Sequence, residues 1–131
     1  MNNIKAIVTN IQTVDNLSIV TFQAKDTQMK MMSLGLNTPI EIDSKVILGV
    51  KASSVLIAKD LSGMISSSNQ LPCIVKNVKN GELLSSLNLS FNDTTIQSVI
   101  TKDSSLKMNL QKGDSVLAII KASELSILEV K

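Results

Sequence analysis

Val46-Ile47-Leu48-Gly49-Val50-Lys51-Ala52-Ser53 is an apolar run that ends in a Lys-Ala-Ser triplet, and the 131-residue chain repeats it 70 positions later as Val116-Leu117-Ala118-Ile119-Ile120-Lys121-Ala122-Ser123. Residues 6–11 and 73–78 repeat each other in the same way at a shift of 67. Similarity between two segments at a nearly constant shift indicates a duplicated structural unit. We therefore predict a first module at residues 1–61 and a second at residues 66–131, each near the size of a small domain that folds alone.

Within each module, short runs of apolar residues alternate with polar ones, which is typical of strands. The Asn80-Gly81 pair predicts a two-residue hairpin turn between the first two strands of the second module. Asp103 or Ser104 is predicted to cap a short helix in the second module. Several short, closely spaced strands per module favour a small antiparallel barrel. The pattern thus predicts an all-β protein with two barrels in tandem.

The segments between the strands predict that the two modules differ in their helix and that a linker joins them. Pro39 and Gly35 interrupt the part of the first module that corresponds to the helix, so we expect that helix to be shorter or lost. Residues 60–69 are small and polar and are interpreted as the linker between the modules.

The composition excludes most catalytic and metal chemistry. The chain has no His, no Arg, no Trp and no Tyr, one Cys and two Phe. Without imidazole or a second thiol, it cannot form a Ser-His-Asp or Cys-His pair, a Cys/His zinc site or an internal disulfide. We therefore predict that the protein is not an enzyme and needs no resident cofactor or metal. The single thiol, Cys73, lies in an apolar run and is interpreted as buried and inert.

Charge and hydropathy indicate neither a polyanion-binding nor a membrane protein. Thirteen Lys against eleven acidic residues give a net charge of +2, and the Lys are scattered along the chain. No apolar run approaches a length that spans a bilayer, and the start shows no signal segment. The sequence predicts a soluble cytoplasmic protein with no membrane or nucleic-acid partner. Met29, Met31 and Met32 are interpreted as core residues rather than as ligands of a soft metal.

Neutral hydroxyls and Lys form the conspicuous polar groups. They are Ser66, Ser67, Ser68 and Asn69, then Thr101 and Ser104, and the triplets Lys51-Ala52-Ser53 and Lys121-Ala122-Ser123. Hydroxyls, backbone N–H groups and one ammonium are the donors that suit a compact oxyanion. Such patterns are also common in linkers, helix caps and turns, so both interpretations stay open on pattern alone.

Three segments of the second module resemble the molybdate-binding Mop, or TOBE, family in its tandem form. Ser66-Ser67-Ser68-Asn69-Gln70 corresponds to the opening Ser-x-Arg-Asn-Gln motif, with Ser68 where the family often has Arg. Val99-Ile100-Thr101-Lys102-Asp103-Ser104 is similar to the middle motif, and Gly113-Asp114 followed by Lys121-Ala122-Ser123 is similar to the closing one. The first copy resembles the family less, through Asn2 and Lys51-Ala52-Ser53.

The resemblance implies an OB-like five-stranded barrel per module and binding of molybdate or tungstate between modules, for storage, homeostasis or sensing. It implies a homo-oligomer, a trimer of tandem modules. By position, Ser66, Ser67 and Ser68 with Asn69 would contact the oxyanion from one side, and the other side would be closed by Thr101, Ser104, Lys121, Ala122 and Ser123. Asn2, Lys51, Ala52 and Ser53 are weaker first-module candidates. Because the first copy has Met31-Met32-Ser33-Leu34 in place of Thr-x-x-Ser, we expect composite sites that use Thr101 and Ser104.

Two alternatives remain at this point. The first is a nucleic-acid-binding OB module, since many such proteins share this barrel. Two Phe, no Arg and dispersed Lys argue against it. The second is an oligomerisation module whose oxyanion site is degenerate.

Overall fold

The computed structural model describes all 131 residues as two five-stranded antiparallel sheets. The strands of the first half are β1 (Asn2–Val14), β2 (Leu17–Ala24), β3 (Thr27–Leu34), β4 (Lys45–Val50) and β5 (Val55–Ala58). Those of the second half are β6 (Asn69–Asn80), β7 (Leu84–Phe91), β8 (Thr94–Thr101), β9 (Ser115–Ile120) and β10 (Ser126–Val130). One α-helix, α1 (Lys102–Lys107), follows β8, and 3-10 turns span Ala52–Ser54 and Ala122–Glu124. The predicted all-β fold of two five-stranded OB-like units is confirmed.

The two sheets exchange their last strands. The strand order is β10-β4-β1-β2-β3 in the first sheet and β5-β9-β6-β7-β8 in the second. β5 therefore comes from the first half of the chain and completes the second sheet, while β10 does the reverse. The sheets do not coincide with residues 1–61 and 66–131, so that division stays a prediction about sequence units, and each barrel is built from both.

The duplication is visible in the detail of the strands. Pairing between β1 and β2 shifts register between Val8 and Asn10, and pairing between β6 and β7 shifts at Val75 and Asn77, 67 residues later. A bulge increases the local bend and twist of a strand. Equivalent bulges let both sheets curl at the same place.

Hydrogen bonding closes the second sheet more fully than the first. The Ser98 hydroxyl in β8 donates to the carbonyl of Val55 in β5 at 2.6 Å, which joins the two edge strands. At the corresponding position of the first sheet stands Met31, which is buried in the core and offers no hydroxyl. The two barrels thus share a fold without sharing this bond.

One continuous core joins the barrels. Twenty-four buried hydrophobic residues, including Phe22, Phe91 and Met29, form a single cluster. The methionine interpretation holds for Met29 and Met31, which are buried, whereas Met32 is 45% exposed. Cys73 is buried, and this burial raises the pKa of its thiol to about 11.

Two asparagines fasten each barrel to the other. The Asn69 amide accepts from the Lys30 N–H at 2.7 Å and donates to the Lys30 carbonyl at 2.9 Å. Asn2, its counterpart, makes the same pair of bonds with Gln97, both at 2.8 Å. Each amide thereby mimics a strand partner for the backbone of the opposite barrel, which fixes the two barrels relative to each other.

Two local predictions need correction. The hairpin lies where Asn80-Gly81 predicts it, but the Gly81 N–H donates to the Leu84 carbonyl at 2.8 Å, so the loop is longer than two residues. The helix is capped by Thr101 rather than by Asp103 or Ser104, because the Thr101 side chain accepts from the Ser104 N–H. The predicted loss of the first-copy helix is confirmed, and residues 59–68 form no regular element, as the linker interpretation requires.

Candidate functional site

The two Lys-Ala-Ser triplets occupy equivalent corners of the molecule. β4 and β9 each end at the residue before the triplet, and the lysine then caps a 3-10 turn from an extended conformation. The first turn (Ala52–Ser54) packs against β8, and the second turn (Ala122–Glu124) packs against β3. The Ser54 hydroxyl lies 3.3 Å from Glu124 Oε2, so the two turns are neighbours. The strand exchange thus places each triplet beside the opposite half of the chain.

The first turn shares a cavity with the middle motif of the second copy. Ser53, Thr101 and Ser104 line an open cavity of about 430 Å³, together with apolar side chains that include Leu56 and Leu84. Ser53 belongs to the first copy, while Thr101 and Ser104 belong to the second. Residues of both copies therefore line one cavity, and a composite site at this cavity stays a prediction.

Hydrogen bonds within this cavity orient its hydroxyls. The Thr101 hydroxyl donates to Ser104 Oγ at 3.0 Å and accepts from the Ser104 N–H at 3.2 Å. Because Ser104 Oγ already accepts from Thr101, its own hydrogen is free to donate to a ligand. A donor that is itself accepting a hydrogen bond is polarised and bonds more strongly.

Contacts from β5 position the helix that carries Ser104. Lys59, just after β5, donates to the carbonyls of Met108 and Asn109 at 3.0 and 3.1 Å and pairs with Asp114 at 3.1 Å. Cations favour the C-terminal end of a helix, where carbonyls lack partners. A residue of the first half of the chain therefore holds the C-terminal end of this helix in place.

The second turn gathers a different set of residues. The Ser67 hydroxyl donates to the carbonyl of Ile120 at 3.0 Å, which ties Ser66, Ser67 and Ser68 to the start of the second triplet. The facing strand, β3, ends in Ser33 and Leu34 and has no Thr-x-x-Ser pair. This corner thus combines the serine cluster with Lys121, but it lacks the hydroxyls of the first cavity.

The predicted site residues therefore divide between two places. Thr101 and Ser104 lie with Ser53, in a cavity that Lys121, Ala122 and Ser123 do not line. Asn2 and Asn69 use both ends of their amides on backbone groups of the opposite barrel, so we assign them a structural role. The sequence could not show this division, because it depends on which barrel receives each exchanged strand.

Uncompensated positive charge is present at both triplets. The chain has three ion pairs, and none of them uses Lys51 or Lys121. Both lysines are exposed. Each is therefore available to balance the charge of an anion.

An apolar rim around the first cavity is a feature that the sequence motifs do not predict. Leu56 and Leu84 line the cavity and are 61% and 56% exposed, and Leu83 beside them is 82% exposed. The sequence signal for this rim is the pair Leu83-Leu84 just after Asn80-Gly81. Two adjacent leucines beside a hairpin turn indicate an exposed apolar patch.

No helix is long and apolar enough to cross a membrane. No group of three or more His, Cys, Asp and Glu side chains is placed to hold a metal ion.

The chain is similar to known proteins both in a domain family and in fold. Residues 65–127 match the family model of the TOBE domain. Thirteen chains of solved structures are similar to this one. One is "the cytoplasmic molybdate-binding protein ModG" in a form "with molybdate bound"; its TM-score is 0.91, its sequence is 25% identical, and the alignment covers 96% of this chain and 94% of ModG. No curated protein sequence matches the chain significantly.

Proposed function

We propose that this protein binds molybdate in the cytoplasm, as a binding protein rather than an enzyme, because residues 65–127 match the family model of the TOBE domain and the whole chain shares its fold with ModG. The family resemblance predicted from the sequence is confirmed. The whole chain shares its tandem architecture with ModG, which binds molybdate and is cytoplasmic.

One observation carries the proposal, namely the convergence of Ser53, Thr101 and Ser104 on one cavity. Ser53 from the first half of the chain and Ser104 from the second supply directional donors for the oxygens of a tetrahedral dianion, and the Thr101 hydroxyl polarises that of Ser104. Hydrogen bonds to a charged acceptor contribute about 1.5–3 kcal/mol each. Lys51, which precedes this turn and has no carboxylate partner, supplies the compensating charge.

The two corners are unequal, and we expect the first to bind more tightly. The first cavity has the Thr101–Ser104 pair, whereas the end of β3 offers Ser33 and Leu34 in the equivalent region. The second corner keeps Ser66, Ser67, Ser68, Lys121 and Ala122 as candidate ligands. It serves as a weaker site, or as a site that another copy of the chain must complete.

Oligomerisation would complete the first cavity as well. Leu56, Leu83 and Leu84 expose an apolar rim beside the hydroxyls, and a second copy that covers this rim would remove water from the site. Electrostatic attraction and hydrogen bonds both strengthen when water is excluded. We propose the trimer of tandem modules that the family resemblance implies, with storage, homeostasis or sensing of molybdate or tungstate as its role.

Isothermal titration with molybdate, tungstate and sulfate tests the binding. We expect heat of binding for both molybdate and tungstate. The affinities for the two anions should be similar, because they are similar in size and charge. Removal of one donor in Ser104→Ala should weaken molybdate binding about tenfold or more, since one charge-assisted hydrogen bond is lost. Absence of heat with both anions would refute the proposal.

The duplicated triplet supplies matched control variants. Ser53→Ala and Lys51→Ala should weaken molybdate binding strongly, while Ser123→Ala and Lys121→Ala, at the equivalent positions, should have smaller effects. The reverse order would place the principal site at the second turn. Size-exclusion chromatography with metal quantification gives the number of molybdate ions per chain and the oligomeric state.

A further inference from the structure

Four of the thirteen lysines surround one small cavity in the first barrel, on a part of the molecule that the proposed oxyanion site does not use. The cavity has a volume of about 290 Å³ and includes Lys5, Lys25, Lys45 and Lys131 among its lining residues. They come from β1, the β2–β3 turn, the start of β4 and the residue after β10. The four other main cavities each have fewer lysines in their lining.

The second barrel has the same cavity without the lysines. Applying the shifts of the internal repeat, the positions of Lys5, Lys25, Lys45 and Lys131 correspond to Pro72, Asn92, Ser115 and Leu61, all of which line a cavity in the second barrel. The apolar floor is common to both, since Ile7 and Val46 in the first correspond to Ile74 and Val116 in the second. The fold itself therefore does not require lysine at any of these four positions.

Nearby carboxylates leave this cluster with excess positive charge. Lys25 pairs with Asp93 at 3.1 Å, and the pKa of Asp93 is lowered first by its hydrogen bond with Lys25, with a smaller contribution from Lys5. Glu129 lies in the adjoining cavity with Lys5, Lys25 and Lys131. Four exposed lysines against these two carboxylate side chains leave an excess of about two positive charges beside a concave surface, and neighbouring like charges favour the binding of an anion.

We propose that this cavity binds a small, multiply charged phosphate anion of the pyrophosphate type. A pyrophosphate has enough oxygens to contact several of these ammonium groups at once, and its negative charge is compensated in part by the excess positive charge. A nucleic acid fits less well, because no aromatic side chain lines the cavity and the remaining lysines are dispersed. The site is separate from the molybdate site, so the two proposals can fail independently.

Titration calorimetry with inorganic pyrophosphate at low ionic strength tests this site. The informative variant is Lys25→Asn with Lys45→Ser, because Asn92 and Ser115 stand at these positions in the second barrel and the fold accommodates them. The matched control is Lys76→Asn with Lys79→Ser, which removes the same charge from exposed positions of β6. We expect the first variant to weaken pyrophosphate binding about tenfold or more, and the control to change it by less than about threefold.

Molybdate titration of the same variants is the internal check. Unchanged molybdate binding in the Lys25→Asn, Lys45→Ser variant would show that the chain is folded and that the two sites are distinct. Equal weakening of pyrophosphate binding in both lysine variants would overturn the proposal, because it would reveal only general attraction to a basic surface. Absence of pyrophosphate binding to the wild-type chain at low salt would overturn it too.

Discussion

Substitution of Gly49 tests the packing of the exchanged strand β10 against β4. A Cβ added at Gly49 would lie 2.5 Å from Cγ of Leu128 and 2.7 Å from both of its methyl carbons. Gly49 does not have a positive φ, so the close approach of β10 is the reason for glycine here. In the second barrel, Ile119 stands at the equivalent position and Ala58 at the position of Leu128. The large and small residues are thus interchanged between the two sheets.

The expected magnitudes follow from this packing. Gly49→Ala overpacks the contact, which costs about 1–3 kcal/mol in well-packed sites. Leu128 is 46% exposed and can partly turn away, so we expect about 1–2 kcal/mol. Leu128→Ala alone removes a half-buried side chain and should cost about 1 kcal/mol. The double variant should be no less stable than Leu128→Ala, because the smaller side chain leaves room for the new methyl group.

Urea denaturation followed by far-UV circular dichroism measures these differences, since the chain has no Trp or Tyr to report by fluorescence. The double-mutant cycle should give a coupling of about 1–2 kcal/mol between positions 49 and 128. Ala58→Leu in the second barrel is the matched variant, because it places a leucine at the position equivalent to Leu128, opposite Leu117 of β9, and should be destabilising too. Additive effects within about 0.5 kcal/mol would refute the packing argument.

Three other variants or reagents test separate features. Asn69→Ala leaves the N–H and carbonyl of Lys30 without partners at a fully buried position, so it should lower the free energy of unfolding, measured in urea, by about 1–3 kcal/mol. The loss should exceed that of Asn2→Ala, because Asn2 is slightly exposed. Equal losses would contradict the burial argument. The Gln111 N–H and then the Lys59 ammonium lower the pKa of Asp114 below 3.8, so the stabilisation from this carboxylate is present above pH 3.8 and is lost as the pH falls through the folded-state pKa. The difference in urea midpoint between wild type and Asp114→Asn should therefore shrink below about pH 4, and a pH-independent difference would exclude this role. Because the pKa of Cys73 is raised to about 11, iodoacetamide at pH 8 should label the thiol slowly in the native protein and readily in urea, as measured by mass spectrometry; complete native labelling would show that the thiol is accessible.

The fold could be predicted largely from the sequence because strands and repeats are local signals. Alternation in Ile4, Ala6 and Val8 and its repetition after 67 residues are enough to predict two similar β units. The exchange of β5 and β10 could not be predicted, because either strand satisfies the alternation of either barrel. Only three-dimensional packing, such as Leu128 against Gly49, distinguishes the two arrangements.

The candidate site could be predicted in its residue types but not in its grouping. Thr101 and Ser104 were identified from the spacing of the middle motif, and their hydrogen bond supports that choice. The motifs favour Ser123 over Ser53 as a ligand, yet Ser53 lines the cavity with Thr101. Asn69 matched a motif position, but its amide is used on the backbone of Lys30. In each case the difference arises from contacts between the halves of the chain. The spacing of residues along the sequence does not predict such contacts.

Exchange of the last strands suggests how a chain of this kind could originate. A single module with this topology would have one unfilled sheet edge and one projecting strand, so two separate copies would complete each other as an intertwined dimer. Joining the end of one copy to the start of the next needs only a connection such as residues 59–68, with no new strand pairing. Fusion also frees the copies to diverge, because a substitution no longer has to suit both members of a symmetric pair. The lysines of one barrel and the Thr101–Ser104 pair of the other are differences that an identical dimer could not maintain.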